Sequence, residues 1–432
     1  LFFWLVISTW PAYGQTPLEK LRLVYSAIGG SQASFWIPHE AGIFRRHGLD
    51  VELLYVAGGG RAAQVVQSGE VPIGLFTGGA AINSNLAGGD LVVIASSMNV
   101  MTFVVMARPE IKRVEDLKGK KVGISRFGSA TDFGLRYAEE QWPVKRQRDF
   151  AVIQMGGVSD VYGALRAGTL DAGVINAELA ILARREGYRE LVDIAKMGIN
   201  FPTSSVVTTR SFIKRNENTV RKFVRGFVEG VHFGKTQRAP AINIMKKYLR
   251  SSDAAMFDEL YDMYIVRNVP RVPRPSPEAL KTVLDQMAET DPRVANLKPE
   301  QFIDARFFQE LEKEGFIENI PGKGAFVSRI SIQDVRETFE IREMLECEAI
   351  KRAALKRDSQ KLEAIRRTFE PRENSSPDDE SPHFRSGDQI HSFIFESIGN
   401  QRLMEIYRRL LDHIVRLRIH FFSDAHQGRS EE

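Results

Sequence analysis

Cysteine is almost missing: Cys347 stands alone among 432 residues. No intrachain disulfide can form, and a cysteine-rich metal site is excluded. An excess of one charge is missing as well. The 59 Lys and Arg face 55 Asp and Glu, and the remaining +4 argues against a dedicated nucleic-acid binder, which concentrates a basic patch. Past the first ten residues no run is long and apolar enough to cross a bilayer. What remains, 43% hydrophobic and 26% charged residues, is ordinary for a soluble globular chain. Its length exceeds one core and implies two or three domains.

The first ten residues, LFFWLVISTW, have the length of a signal-peptide core and are too short for a stable membrane anchor. PAYGQT follows and puts Ala12 and Gly14 at the minus-three and minus-one positions of a cleavage site. Residues 1–14 are therefore expected to be part of an export signal, begun inside a longer reading frame. A buried first strand is the competing reading.

An internal near-repeat organises the next part. Leu21–Phe76 and Lys120–Ile175 each read strand, small-residue loop, helix, strand, Gly-rich turn, helix, strand. Their closing phrases, VVQSGEVPIGLF and ALRAGTLDAGVI, align almost residue by residue. Strands alternating with helices imply parallel α/β sheets with right-handed crossovers, and two units in series imply two similar lobes. The boundaries expected are 21–108 plus 205–317 for lobe one and 109–204 for lobe two. The helices read after residue 216 carry apolar residues at three- and four-residue spacing, which fits a return to cover lobe one.

Two loops draw attention, AIGGSQASFW and SRFGSATDF. Both place Ser or Thr and Gly before a helix, at the carboxyl end of a strand, where open α/β sheets bind ligands. Backbone N–H groups and hydroxyls at a helix start favour an anionic or strongly polar group. Ser31, Ser34, Ser129 and Thr131 as plain helix caps are the alternative.

These phrases, with PHEAGIFRRHGLDVELLYVAGGG and RVEDLKGKKVGIS, resemble the periplasmic solute-binding proteins of ABC importers, in the nitrate, sulfonate, bicarbonate and thiamine-precursor group. The resemblance covers residues 21 to about 317. It implies a two-lobed α/β fold of the type II periplasmic-binding kind, a hinge, a cleft, an inner-membrane permease as partner, and no cofactor or metal. By position, the ligand residues expected are Ser31, Trp36, Gly59, Gly60, Thr77, Gly78, Ser129, Thr131 and Asn176. Arg126 is the one cation inside the matching loops.

The tail resembles a second family. LEKEGFIENIPGKGAFVSRISIQDVRETFEIREMLECEAIKRAA looks like the wing (318–330) and first effector helices of GntR-type regulators with an all-helical FCD domain. HSFIFESIGNQRLMEIYRRLLDHIVRLR matches a later part of it. Residues 331–432 are thus expected to be a partial all-α bundle. A winged helix-turn-helix needs a recognition helix set by a preceding one, and here only Arg306, Lys323 and Arg329 offer themselves to DNA. Metal-binding members of that family use an Asp and a His four apart; His391 matches the His, but Gly387 stands at the Asp position and Asp388 is shifted by one. His413, His420 and His426 are out of place, so no metal is expected.

The reading is a periplasmic, monomeric solute binder fused to a regulator fragment, with no nucleic-acid partner and no enzymatic activity. One rival is a ligand-responsive GntR/FCD-type regulator with the α/β region as its sensor. Another is an enzyme on the same fold, related to pyrimidine-synthesising proteins. Its chemistry would need clustered His and Cys, whereas His39 and His47 stand apart.

Overall fold

The computed structural model describes residues 18–289, 291–322, 324–328 and 332–356, together with position 363, 394–395, 398–404, 406–407 and 410. The expected export signal, Lys323, Arg329, Gly387, Asp388, His391, His413, His420 and His426 lie outside the described residues. Glu19–Val327 form one compact unit, and the described residues from Ser328 onward belong to another.

The strands of the first unit are β1 (Glu19–Tyr25), β2 (Leu49–Tyr55), β3 (Ile73–Phe76), β4 (Leu91–Val100), β5 (Phe103–Ala107), β6 (Lys121–Ile124), β7 (Ala151–Gln154), β8 (Ala172–Asn176), β9 (Arg189–Asp193) and β10 (Asn200–Thr209). They form two five-stranded sheets, ordered β2-β1-β3-β10-β4 and β7-β6-β8-β5-β9. The two orders have the same pattern. β1, β2 and β3 run parallel, as do β6, β7 and β8.

Two expectations change here. The sheets are mixed rather than parallel, because β10 runs antiparallel to β3 and β4, and β5 antiparallel to β8 and β9. The boundaries at 108 and 204 also move, since β5 belongs wholly to the second sheet and β10 wholly to the first. Both shifts have one cause. The chain enters lobe two through Met101–Thr102 and returns through residues 194–199, so each entering strand arrives from the opposite direction. Gly198, with φ +67, supplies the left-handed turn of the return segment.

Helices join the strands: α1 (Ala33–Glu40), α2 (Ile43–Arg46), α3 (Gly59–Gln67), α4 (Gly78–Leu86), α5 (Ala130–Glu140), α6 (Val158–Arg166) and α7 (Ala177–Arg185). The repeat's closing phrases are α3–β3 and α6–β8. Beyond β10 come α8 (Arg210–Arg215), α9 (Glu217–Thr236), α10 (Arg238–Leu249), α11 (Ala254–Tyr261), a π-helical turn at Asp262–Asn268, α12 (Pro277–Ala288) and α13 (Arg306–Lys313). α9 buries Val220, Phe223, Val224, Phe227 and Val231 against Phe35, Ile37 and Phe44 of lobe one. Its three- and four-residue spacing makes one continuous apolar face, and each such side chain contributes about 1.5–3 kcal/mol on burial.

The opposite edge of α9 carries Glu229, whose carboxylate lies 2.7 Å from His47 Nε2 and 2.9 Å from Arg46. Burial opposes the charged form of Glu229, but His47 and Arg46 outweigh it and hold the carboxyl at about 2. A depressed carboxyl stabilises the fold above its ordinary value of 4.5, and that stability is lost as pH falls toward the folded value. Acid titration of the urea midpoint should lose about 3 kcal/mol between these limits. The Glu229→Gln variant should show a flatter slope across the same window.

The hairpin read as a wing is β11 (Ile317–Ile320) paired with β12 (Gly324–Val327). It does not stand apart from the preceding lobe. Phe316 and Ile317 are buried in the lobe-one core, Ala325 and Val327 pack against it, and Arg271 lies 4.5 Å over the Phe326 ring. The cause is apolar side chains on the hairpin's inner face. In the second unit, α14 (Ile332–Lys356) brings Ala349 into a small core with Phe395, Tyr407 and Leu410. Tyr407 donates to Glu346 at 2.8 Å and stacks on Phe395 at 3.7 Å.

Candidate ligand-binding cleft

The loops following β1, β2, β3, β6, β7 and β8 all open on one cleft of about 1050 Å³. Both lobes thus present the carboxyl ends of their parallel strands to the same space, the position open α/β sheets use for ligands. Ser31, Gly59, Gly60, Thr77, Ser129, Thr131 and Asn176 all line it.

Trp36 and Gly78 do not. Trp36 is fully buried in the lobe-one core, stacked on Tyr248 at 4.6 Å. It meets the edge of Tyr25 at 5.9 Å, and Tyr25 in turn supports Tyr55 at 5.5 Å. Gly78 faces Leu280 and Pro202; a Cβ there would lie 2.7 and 2.8 Å from them. Its smallness serves packing under α12. Ser34 is also turned inward, 2.9 Å from Ser97.

Ser129 stands at the N-cap of α5, yet its hydroxyl makes no capping bond. It lies 2.9 Å from both Ser125 Oγ and Thr131 Oγ1, and those two are 2.8 Å apart. A triangle of three hydroxyls therefore sits at the start of an eleven-residue helix, where the macrodipole favours negative charge. Thr77 likewise leads α4 without a side-chain cap. Only Asn176 does cap, accepting from Leu179 N–H at 3.4 Å.

Arg126 adds charge. Its Nε donates to Gly156 O at 3.3 Å, and among the described residues it has no ion-pair partner. Lobe one meets Arg126 of lobe two at Gly58, where a Cβ would lie in ordinary contact with that Nε at 3.5 Å; glycine is required there by its φ of +88. Arg61 is a second cation of the lining and Asp160 its one described carboxylate to set against them. Asp160 is engaged with Gly157 N–H at 2.8 Å. The lining contains neither His nor Cys.

At the base of the cleft, Glu178 of α7 accepts from Gly30 N–H and from Tyr264 Oη, the latter at 2.9 Å. Burial pushes the Glu178 carboxyl up, against the pull of these two donors. Burial, then Glu178 itself, pushes the Tyr264 phenol well up, and Thr102 of the crossover bonds the same phenol. Glycine is required at position 30, because a Cβ would come within 2.2 Å of the Tyr264 ring. Sequence reading passed over Glu178 and Tyr264: their partners lie 86 and 148 residues away. Ser125 carried a signal, as the last residue of KKVGIS beside a Ser-Thr pair.

Comparison with known proteins agrees with this geometry. Residues 32–237 match the family model described as NMT1/THI5 like, and residues 337–432 match the FCD domain model. A Brucella abortus (strain 2308) protein, named as a binding protein, is 26% identical over 240 residues, 53% of this chain and 73% of its own. Among solved structures, the alkanesulfonate-binding protein SsuA of Xanthomonas axonopodis pv. citri superposes with a TM-score of 0.56 at 15% identity, covering 67% of this chain and 99% of its own. The periplasmic aliphatic sulphonate binding protein SsuA of Escherichia coli gives 0.54 at 21% identity, covering 66% and 97%. The periplasmic nitrate-binding protein NrtA of Synechocystis PCC 6803 gives 0.56 at 12%, covering 68% and 89%. These likenesses establish the fold. Residues 32–237 thus match the NMT1/THI5-like model within a periplasmic-binding-protein fold, and residues 337–432 of the same chain match the FCD domain model.

Proposed function

We propose that residues 19–327 are the solute-binding component of an ABC-type importer, capturing a small organic anion between two lobes. The observation that carries this reading is the Ser125–Ser129–Thr131 hydroxyl triangle, open to the cleft beside Arg126. The two crossover segments serve as the hinge, and a ligand that touches both lobes favours the closed form. The solved relatives named above include periplasmic binding proteins. On that basis the domain acts in the periplasm as a monomer, delivers its ligand to an inner-membrane ABC permease, and performs no catalysis.

The FCD domain gives the regulator reading its one support. The helix that would read DNA is already occupied, however. α13 buries Phe307, Phe308 and Leu311 in lobe one. Its Glu310 pairs with Arg221 at 2.9 Å, its Glu312 with Arg274, and Glu314 beyond it with Arg225.

Thermal unfolding of the full chain in nitrate, methanesulfonate, benzenesulfonate and benzoate tests the proposal. A saturable rise is expected with at least one anion, about 2.7 kcal/mol at a hundredfold excess over Kd. Ser125→Ala/Ser129→Ala should weaken that binding by about tenfold or more, having lost two donors to a charged group. Silence from every anion, or a double variant that binds as well as the parent, sinks the reading.

A further inference from the structure

The cleft is far larger than an inorganic anion needs. A volume of about 1050 Å³ stands at the upper end of sites for organic molecules, roughly 300–1,000 Å³. Its walls are also less polar than an anion alone would call for. Among the described residues of 19–327, five large apolar side chains are exposed: Ile28, Tyr55, Phe127, Leu182 and Val266. The first three line this one cleft. Large apolar groups gathered at one site mark a binding surface rather than chance exposure.

The two aromatic members come from opposite lobes. Tyr55 ends β2 of lobe one and is 47% exposed; Phe127 lies in the loop after β6 of lobe two and is 57% exposed. Tyr55 is supported at its ring and Phe127 at its backbone. Tyr55 leans on Tyr25, which meets the buried Trp36. Phe127 N–H donates to Gln154 Oε1 at 3.0 Å, and Gly128 at φ +72 turns the chain behind it. The near contact of position 58 with Arg126 brings the end of the β2 loop against the residue preceding Phe127. An aromatic ring exposed to water in this way offers a flat apolar face for another ring.

The five residues Ser125 to Ser129 therefore supply a hydroxyl pair, a guanidinium and an aromatic ring side by side. An anionic group on the hydroxyls and Arg126 puts whatever it is attached to beside Phe127. We infer that the cleft takes an aryl acid, a carboxylate or sulfonate carried close to an aromatic ring, with the ring received by Tyr55 and Phe127. This rests on the proposed solute-binding role and narrows its ligand class. Trp36, expected from sequence to touch ligand, acts instead through Tyr25 as support for Tyr55.

The test compares Kd values of the full chain by calorimetry for benzoate against acetate, and benzenesulfonate against methanesulfonate. At least one aryl acid should bind ten- to a hundredfold more tightly than its methyl counterpart. Tyr55→Ala/Phe127→Ala should erase that preference while leaving methyl-acid binding and the unliganded melting temperature near those of the parent. Equal affinity for aryl and methyl acids overturns the inference and leaves the solute-binding role intact. A preference that survives in the double variant overturns the assignment to these two rings. Binding of none of the four acids overturns the inference, and silence from nitrate as well overturns the role beneath it.

Discussion

Replacing Arg146 with methionine is expected to lower unfolding free energy by about 3–5 kcal/mol, the cost of stranding buried charge. Arg146 reaches Asp132 at 2.5 Å and Glu139 at 2.9 Å. Those carboxylates are 1% and 6% exposed, so water cannot replace the guanidinium. Asp132 keeps a weaker partner in Arg136 at 3.4 Å, whereas Glu139 is left to burial, which already pushes its carboxyl up. The effect should reach the cleft. Asp132 also accepts from Gly128 N–H at 2.9 Å, so the pair anchors the loop that carries Ser125, Phe127 and Ser129. Urea unfolding should show the stability loss, and anion affinity measured below the transition should fall with it. Arg146→Lys keeps the charge but loses the planar fork and should lie between the two. A methionine variant within 1 kcal/mol of the parent would contradict this account.

Glu178→Ala is expected to be the second most damaging change. It leaves Gly30 N–H and Tyr264 Oη without their acceptor in a fully buried place. Each orphaned donor costs about 1–3 kcal/mol, so a total of about 2–6 kcal/mol is expected from chemical denaturation. The lost contacts join three parts of the fold: the lobe-one loop at Gly30, the π-helical turn at Tyr264 and helix α7 of lobe two. Binding of any cleft ligand should therefore weaken more than stability alone explains. A pH signature accompanies it. Because burial raises the Glu178 carboxyl, stability tied to its protonated form is complete below the ordinary value of 4.5. That share is lost as pH climbs through the raised folded value. Glu178→Gln keeps the shape without the titration and should flatten this part of the profile. A parent profile no steeper than that of the glutamine variant would count against the assignment.

The fold was legible where it is local and repeated. VVQSGEVPIGLF and ALRAGTLDAGVI announced two equivalent helix–strand corners, and the loops before them pointed to the strand ends that form the cleft. Seven of nine expected residues line it. The two that do not failed for a shared reason: a tryptophan at a helix start and a glycine after a strand look the same whether they face ligand or core. Only the packing of Tyr248 on Trp36 and of Pro202 and Leu280 on Gly78 separates the cases. Strand exchange between the lobes was hidden because β5 is a plain apolar run and β10 a buried mixture of Ser, Thr and Val, and neither composition says which sheet the strand joins. The hairpin at 317–327 was readable as a hairpin, but its attachment to lobe one depends on Phe316 and Ile317 meeting α9, which is remote in sequence.

The swapped strands also set an order of assembly. Lobe two draws its sheet from one continuous stretch, residues 103–193, and can complete it as soon as that stretch has left the ribosome. Lobe one cannot. β4 touches the rest of its sheet solely through β10, made a hundred residues later, and until then it is an unpaired apolar ribbon open to pairing with other chains. The half of the jaw that appears first in the chain is thus the half that must close last, and a nascent chain halted before Thr209 would hold one finished lobe and one adhesive one.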